Sequence, residues 1–425
     1  MKGHVIFDLD GTLLNTIEDL AAAGNHVCQA NGWPTFPPVA YRRMVGGGIP
    51  NLVSRMAPDG TGRERVQAAT EQFIAYYQAH LDECTAPYPG IARALAALKA
   101  AGVGLAVLSN KAHPLTVQLV ERHFPGVFAW VQGALPGLPV KPDPTLLRQV
   151  LDRLGAPPED AVMVGDSGAD LRVAQAAGTA AWSVLWGFRD REELERAGAQ
   201  LLLEHPLQLV EVATGTRLLT AGDVQAAVEL LSEGGLVALP TETVYGLAAD
   251  ATQAEAVQAV YTAKRRPEGK ALNVLVDGMT MVEQICEGIP PDAYTLAQAF
   301  WPGPLTMILR GRGELPPQVT AGGDTQGVRC PDHPDTLAVI RALGRPLACP
   351  SANRSGQPSP KSADQVLAQL AGRIGGVLDG GACTVGVEST ILDLTVTPYR
   401  ILRQGGLSRQ AIQEALGTEV EGAGP

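Results

Sequence analysis

The sequence predicts a two-domain α/β chain, and three observations carry that expectation. Its 425 residues exceed what one core usually organises, so two domains of roughly 200 residues each are the natural reading. Short apolar strands alternate with helical patterns through the first half, the rhythm of a sheet with crossover helices. With 45% hydrophobic and 18% charged residues, 48 Gly and 32 Pro, the composition is globular rather than disordered or fibrous. The boundary is placed between residues 213 and 214, where Ala213–Leu219 is too short and too mixed for a flexible tether.

Several classes are excluded early. No apolar run approaches the ~18 residues that a membrane span needs. MKGHVIFDLDGT reads without a signal-peptide core. The cysteines at 28, 84, 286, 330, 349 and 383 form no C-x-x-C pair. They read as small buried side chains in a reducing cytoplasm. The net charge is −11, and both halves are acidic, unlike a dedicated nucleic-acid binder.

Val5-Ile6-Phe7 is a short buried strand that delivers Asp8-Leu9-Asp10-Gly11-Thr12 at its C-terminal end, where open α/β sheets place ligands. Two carboxylates at this spacing suit a nucleophile, an acid/base and a hard metal, although DxDG also occurs in ordinary turns. Thr16-x-x-Asp19 reads as a capping box for a helix ending near Asn31-Gly32. Prolines 34, 37 and 38 and Gly46-Gly47-Gly48 interrupt the chain, and a helical pattern over Gly62–Glu83 closes a helical insert at about 16–85. The α/β rhythm resumes with helix Ile91–Ala101 and strand Gly104–Leu108, which leads into Ser109-Asn110-Lys111. A helix near Pro114–Phe124, the tetrapeptide Lys141-Pro142-Asp143-Pro144, a helix to Leu154 and strand Ala161–Val164 follow. That strand delivers Gly165-Asp166-Ser167-Gly168-Ala169-Asp170; strand Ala181–Leu185, an acidic helix Arg189–Ala197 and an edge strand Leu201–Leu203 close the half.

The second half opens with a helix near Asp223–Ser232 and a strand Leu236–Leu239 that breaks at Pro240. Thr241, Glu242 and Thr243 form a polar turn, and Lys264, Arg265, Arg266 and Lys270 make a dense basic knot. Clustered cations neutralise phosphate oxygens well, while a charge run at a helix end is equally consistent with a solvated surface.

The first half resembles the haloacid dehalogenase superfamily phosphatases of the phosphoglycolate phosphatase type. The resemblance rests on DLDGT, a Ser at a strand end, a Lys before Pro, and GDSGAD, in that order. It implies a Rossmann-like domain with a helical cap. Asp8 would be the nucleophile and Asp10 the general acid and base. Ser109 and Lys141 would hold the phosphoryl oxygens, and Asp8, the Asp10 carbonyl and Asp166 would bind Mg²⁺, with Asp170 behind them.

The second half resembles the threonylcarbamoyl-AMP synthase family, of YrdC type. Its marks are PTETVYG at 240–246, K-x-R-P at 264–267 and WPGPLT at 301–306, then Arg329 with Pro331, PSANRSG at 350–356, EST at 388–390 and ILRQG at 401–405. The resemblance implies a mixed α/β domain with a deep cavity for ATP and threonine. Lys264, Arg266, Lys270, Thr325, Ser351, Asn353, Ser359 and Arg403 would hold ATP; Thr243, Arg329, Cys349 and Ser389 would contact threonine. Leu275 departs from the pattern, standing where the family often has His, and an apolar side chain cannot supply that hydrogen bond.

Two enzymes in one cytoplasmic chain are therefore expected. The substrates would be ATP, L-threonine, bicarbonate and a small phosphate ester such as phosphoglycolate. Partner proteins for tRNA modification are implied, with weak or no direct tRNA binding. Two alternatives stay open: a pyrophosphatase in the first half, or an RNA-binding module in the second. The sparse aromatics, 5% of the chain, and the acidic balance disfavour the RNA module.

Overall fold

In the first half, apolar segments without alternation pair into one parallel sheet buried on both faces, as crossover helices require. Its strand order is Trp130–Ala134, Gly104–Ala112, His4–Phe7, Ala161–Gly165, Ala180–Val184 and Leu202–Leu203. All neighbours are parallel, with Val5 opposite both Leu105 and Val162. Ile6, Ala106, Met163, Leu147 and Val150 lie in its core. The structure is a computed structural model and describes residues 3–422. Its contacts divide the chain after Thr214 into two compact units.

The helical insert lies between the paired short strands Leu14–Asn15 and Ala86–Pro87. It contains helices Ile17–Asn31, Pro38–Met44, Ile49–Met56 and Arg63–Ala79. Thr16 and Asp19 do not form the expected capping box. The Thr16 hydroxyl donates instead to Asp10 Oδ1 at 2.8 Å. Asp19 accepts from the Cys84 and Thr85 N–H groups, both at 2.9 Å, and so ties the two ends of the insert together. A long-range acceptor thus outcompetes the local cap. The expected linker at 213–219 is also structured: helix Gln208–Thr214 is followed almost directly by strand Arg217–Thr220.

The second unit is a mixed sheet. Its order runs Glu421–Gly422, Arg400–Arg403, Thr390–Asp393, Leu305–Gly311, Thr325–Arg329, Val274–Leu275, Leu347–Ala348, Gly246–Asp250, Val237–Leu239, Gly376–Asp379 and Arg217–Thr220, with Cys286–Glu287 on the side of Leu305–Gly311. Parallel and antiparallel pairs alternate irregularly along it. Leu275 sits opposite Arg329 on one side and Leu347 on the other. Among the described residues, no helix is long and apolar enough to cross a membrane.

Candidate active sites

Strand ends converge in the first unit. Asp8 directly follows strand His4–Phe7, Ser109 lies within Gly104–Ala112, and Asp166 directly follows Ala161–Gly165. Gly11 keeps the turn open: its φ is +82°, and a Cβ there would lie 2.2 Å from Asp166 Oδ2. Asp8, Asp166 and Asp170 each bring a carboxylate oxygen within 4.8 Å of the others. Lys141 Nζ joins them, 2.8 Å from Asp8 and 2.7 Å from Asp170. Three carboxylates facing one ammonium leave a buried charge deficit. Burial, followed by the neighbouring carboxylates, pushes Asp8 up to about 8 and Asp166 up to about 7, against the opposing pull of Lys141. Burial alone would lower Lys141, but Asp170 and Asp8 outweigh it and raise its pKa. Such an oxygen-only, charge-deficient cluster fits a hard divalent cation.

Asp10 is turned away from this cluster. Lys111 Nζ holds its two oxygens at 2.8 and 3.0 Å and also donates to the Tyr77 hydroxyl at 2.9 Å. The expected metal role of Asp10 rests on its main-chain carbonyl, so the carboxylate stays available for proton transfer. Asp170 does more than stand behind the cluster. It meets Lys141 through Oδ1, and through Oδ2 it closes a capping box with Ser167 at the start of helix Gly168–Ala177. Lys111 escaped the sequence reading although it stands two residues after Ser109. Its role depends on the cap helix that carries Tyr77. Asn110 also goes beyond that reading: it exchanges hydrogen bonds with the main chain of Lys141 at 2.8 and 3.0 Å. These groups line a cavity of about 90 Å³, covered by Gly46–Gly48, Ile49 and Leu52 of the insert.

The second unit holds a larger cavity, about 270 Å³, lined by Thr243, Arg266, Leu275, Arg329, Cys349, Ser351, Ser389 and Arg403. All four residues expected at threonine are in its wall, and so is the departing Leu275. Arg329 Nη2 meets Glu242 Oε1 at 2.6 Å, and Glu242 is fixed in turn by the Asp332 N–H at 3.0 Å. Arg403 pairs with Glu388 and donates from Nε to the Ser389 carbonyl at 3.0 Å. Ser389 Oγ lies 2.8 Å from Thr306 Oγ1. Glu242 and Glu388 are candidate site residues to which the sequence reading gave no role: both stand inside its motifs, yet their arginine partners lie on other elements of the chain. Burial pushes the Cys349 thiol up to about 12, against Arg329 and Lys264, so it stays protonated.

The basic knot does not converge. Helix Ala254–Lys264 ends at Arg265, whose φ of 52° turns the chain, and the four side chains part there. Arg266 reaches the cavity wall, while Lys270 is exposed and lies outside it. Lys264 turns inward, 1% exposed, and donates to the Ser351 and Asn353 carbonyls and to Asn353 Oδ1. It supports the loop that carries Ser351 rather than lining the cavity. Asn353 is a staple of the same loop, accepting from Ser351 Oγ at 2.5 Å. Ser359 holds Glu388 at 2.8 Å. Thr325 stands four residues before Arg329 on one strand, about 13 Å away at ~3.3 Å per residue, and is outside the wall.

The comparisons agree with this division. A family described as Telomere recombination (Sua5, YciO and YrdC) matches residues 229–405, and Haloacid dehalogenase-like hydrolase matches residues 5–184. The chain is 45% identical over 195 residues to the threonylcarbamoyl-AMP synthase of Bacillus subtilis, covering 46% of this chain and 56% of that one. It is 38% identical over 160 residues to the threonylcarbamoyl-AMP synthase of Xanthomonas campestris, covering 37% and 86%. The chain thus spans little more than half the length of the Bacillus relative. A solved structure from Lactobacillus delbrueckii, provisionally named a phosphoglycolate phosphatase, is 30% identical with a TM-score of 0.49, covering 50% of this chain and 99% of that one.

Proposed function

The chain belongs to the threonylcarbamoyl-AMP synthase family through its second unit and to the haloacid dehalogenase-like hydrolases through its first, and from that premise we propose one chain with two separate activities. The second unit joins L-threonine, bicarbonate and ATP. Threonine's amine and bicarbonate give a carbamate with loss of water. A carbamate oxygen attacks the α-phosphorus, the bond to the pyrophosphate oxygen breaks, and threonylcarbamoyl-AMP and pyrophosphate leave. No side-chain nucleophile is required, so positioning and charge neutralisation are the protein's contribution.

One observation carries this reading: three guanidinium groups, Arg266, Arg329 and Arg403, border one cavity together with the hydroxyls of Thr243, Ser351 and Ser389. Forked cations with fixed hydroxyls suit a triphosphate and a carboxylate bound side by side. The measurement is pyrophosphate release by the full chain, with mass spectrometry of the nucleotide product. Release should require ATP, threonine and bicarbonate together, and release that persists without threonine would sink the reading. Transfer to tRNA would rest on partner proteins in the cytoplasm, with little direct tRNA binding by this acidic chain.

The first unit hydrolyses a small phosphate ester. Asp8 attacks phosphorus, the ester P–O bond breaks, and Asp10 gives the departing oxygen its proton. Asp10 then takes a proton from the water that cleaves the aspartyl-phosphate, releasing inorganic phosphate. Ser109 and Lys141 hold the transferring oxygens, and Lys111 and Thr16 orient Asp10. Asp8 and Asp166, with the Asp10 carbonyl, would hold Mg²⁺, and Asp170 stands beside them. The ion would supply charge neutralisation for the phosphoryl oxygens. Phosphoglycolate and pyrophosphate are the two candidate substrates brought forward from the sequence.

A further inference from the structure

We propose that, on the synthase reading above, Asn273 is the residue that selects threonine, by exchanging hydrogen bonds with its side-chain hydroxyl. Asn273 lies in the wall of the second unit's cavity, directly before the short strand Val274–Leu275.

Register sets this side chain in the middle of three strands. Val274 pairs with Val328 on one side and with Ala348 on the other, so Asn273 stands beside Gly327 and Cys349. The Cys349 N–H donates to the Asn273 carbonyl at 2.8 Å, which extends the ladder to that pair. Side chains two apart on a strand share a face, and Asn273 and Leu275 both line the cavity. Gly327 makes the room for the amide: a Cβ there would lie 2.6 Å from Asn273 Oδ1. The carboxamide therefore lies over Gly327, on the face where Leu275 offers only carbon.

The hydroxyls of the wall already have protein partners. Thr241 Oγ1 and Thr243 Oγ1 meet at 2.9 Å, and Thr241 also donates to the Val244 carbonyl at 2.6 Å. Ser351 Oγ donates to Asn353 Oδ1, and Ser389 Oγ is shared between Thr306 and Arg403. The half-buried Asn273 amide, by contrast, has no hydrogen-bond partner among the described residues. The Cys349 thiol beside it is only a weak donor. A substrate carboxylate suits the Arg329 guanidinium, which stands opposite Leu275. The threonine hydroxyl has one proton to give and lone pairs to fill, and a carboxamide serves both. A methyl in place of that hydroxyl would cover the amide and leave it unpaired, which is the costlier kind of mismatch.

Pyrophosphate release by the full chain is measured with ATP, bicarbonate and either L-threonine or L-valine. Valine keeps the amine and carboxylate but carries a methyl where threonine has its hydroxyl. Wild type should favour threonine in kcat/KM on the order of 1000-fold. Asn273→Leu should narrow that preference about 100-fold, by loss with threonine rather than with valine, and leave the KM for ATP unchanged. Where Asn273→Leu does not fold, Gly327→Ala, whose methyl displaces the amide while Asn273 stays, replaces it and should narrow the preference about tenfold. A folded variant that keeps the wild-type ratio, or a wild type that uses both amino acids equally, overturns the inference but leaves the synthase reading standing. Wild type that releases pyrophosphate without any amino acid, or not at all, overturns both.

Discussion

Three oxygens surround the Lys264 ammonium, and an ammonium has three N–H groups to give them. Burial and then Arg266 push its pKa down to about 7. The acceptor geometry, which matches the charged form, works in the opposite direction. Lys264→Met removes every donor and leaves buried carbonyls unpaired, at about 1–3 kcal/mol for each. A drop in the thermal midpoint is expected along with weaker ATP use; an unchanged midpoint would return Lys264 to a direct ligand role. Arg403 and Lys270, alike in the sequence, should now behave differently. Arg403→Ala should weaken ATP use by about 1.5–3 kcal/mol, the scale of a charge-assisted hydrogen bond. Lys270→Ala should stay within about 0.5 kcal/mol of wild type, as exposed substitutions usually do. ATP titrations of the two variants decide it, and equal losses would contradict the cavity wall described here. The residue types at both sites were legible because the motifs name them. Their division into ligands and supports was not, because Lys264, Asn353 and Ser359 act through partners that only the folded chain brings near.

At the scale of elements, close approach between strands fixes the second cavity. Gly246 begins a strand at the wall, and a Cβ there would lie 2.4 Å from Cys349 Sγ. Gly246→Ala should therefore push Cys349 and the Ser351 loop apart and raise the KM for threonine several-fold. The Cys349 thiol, now less enclosed, should react faster with iodoacetamide; wild-type kinetics and thiol reactivity would show that the wall tolerates the methyl. Periodicity located the strands His4–Phe7 and Ala161–Gly165 closely, because continuous apolar runs followed by Gly or Asp leave few alternatives. It misplaced the work of Thr16 and Asp19, since S/T-x-x-D/E describes a local cap as readily as two long-range hydrogen bonds. The mixed sheet of the second unit was legible only through resemblance. Strands as short as Val274–Leu275 and Leu347–Ala348 carry too few residues to show a period.

At the scale of the whole molecule, the candidate groups fall into two sets that share no residue: Asp8, Asp10, Lys111, Lys141, Asp166 and Asp170 before Thr214, and Thr243, Arg266, Arg329, Glu388 and Arg403 after it. Separate machinery implies separable activities. In Asp8→Asn the amide keeps the carboxylate's shape but lacks its nucleophilic charge. The most direct measurement is therefore a crossed pair of assays on full-length Asp8→Asn and Arg403→Ala. Each protein is scored for Mg²⁺-dependent hydrolysis of p-nitrophenyl phosphate and for pyrophosphate release that needs ATP, threonine and bicarbonate. Asp8→Asn should lose the first activity and keep the second at the wild-type rate, and Arg403→Ala should keep the first at the wild-type rate and be weakened in the second. A folded Asp8→Asn protein that has lost both activities would contradict the account.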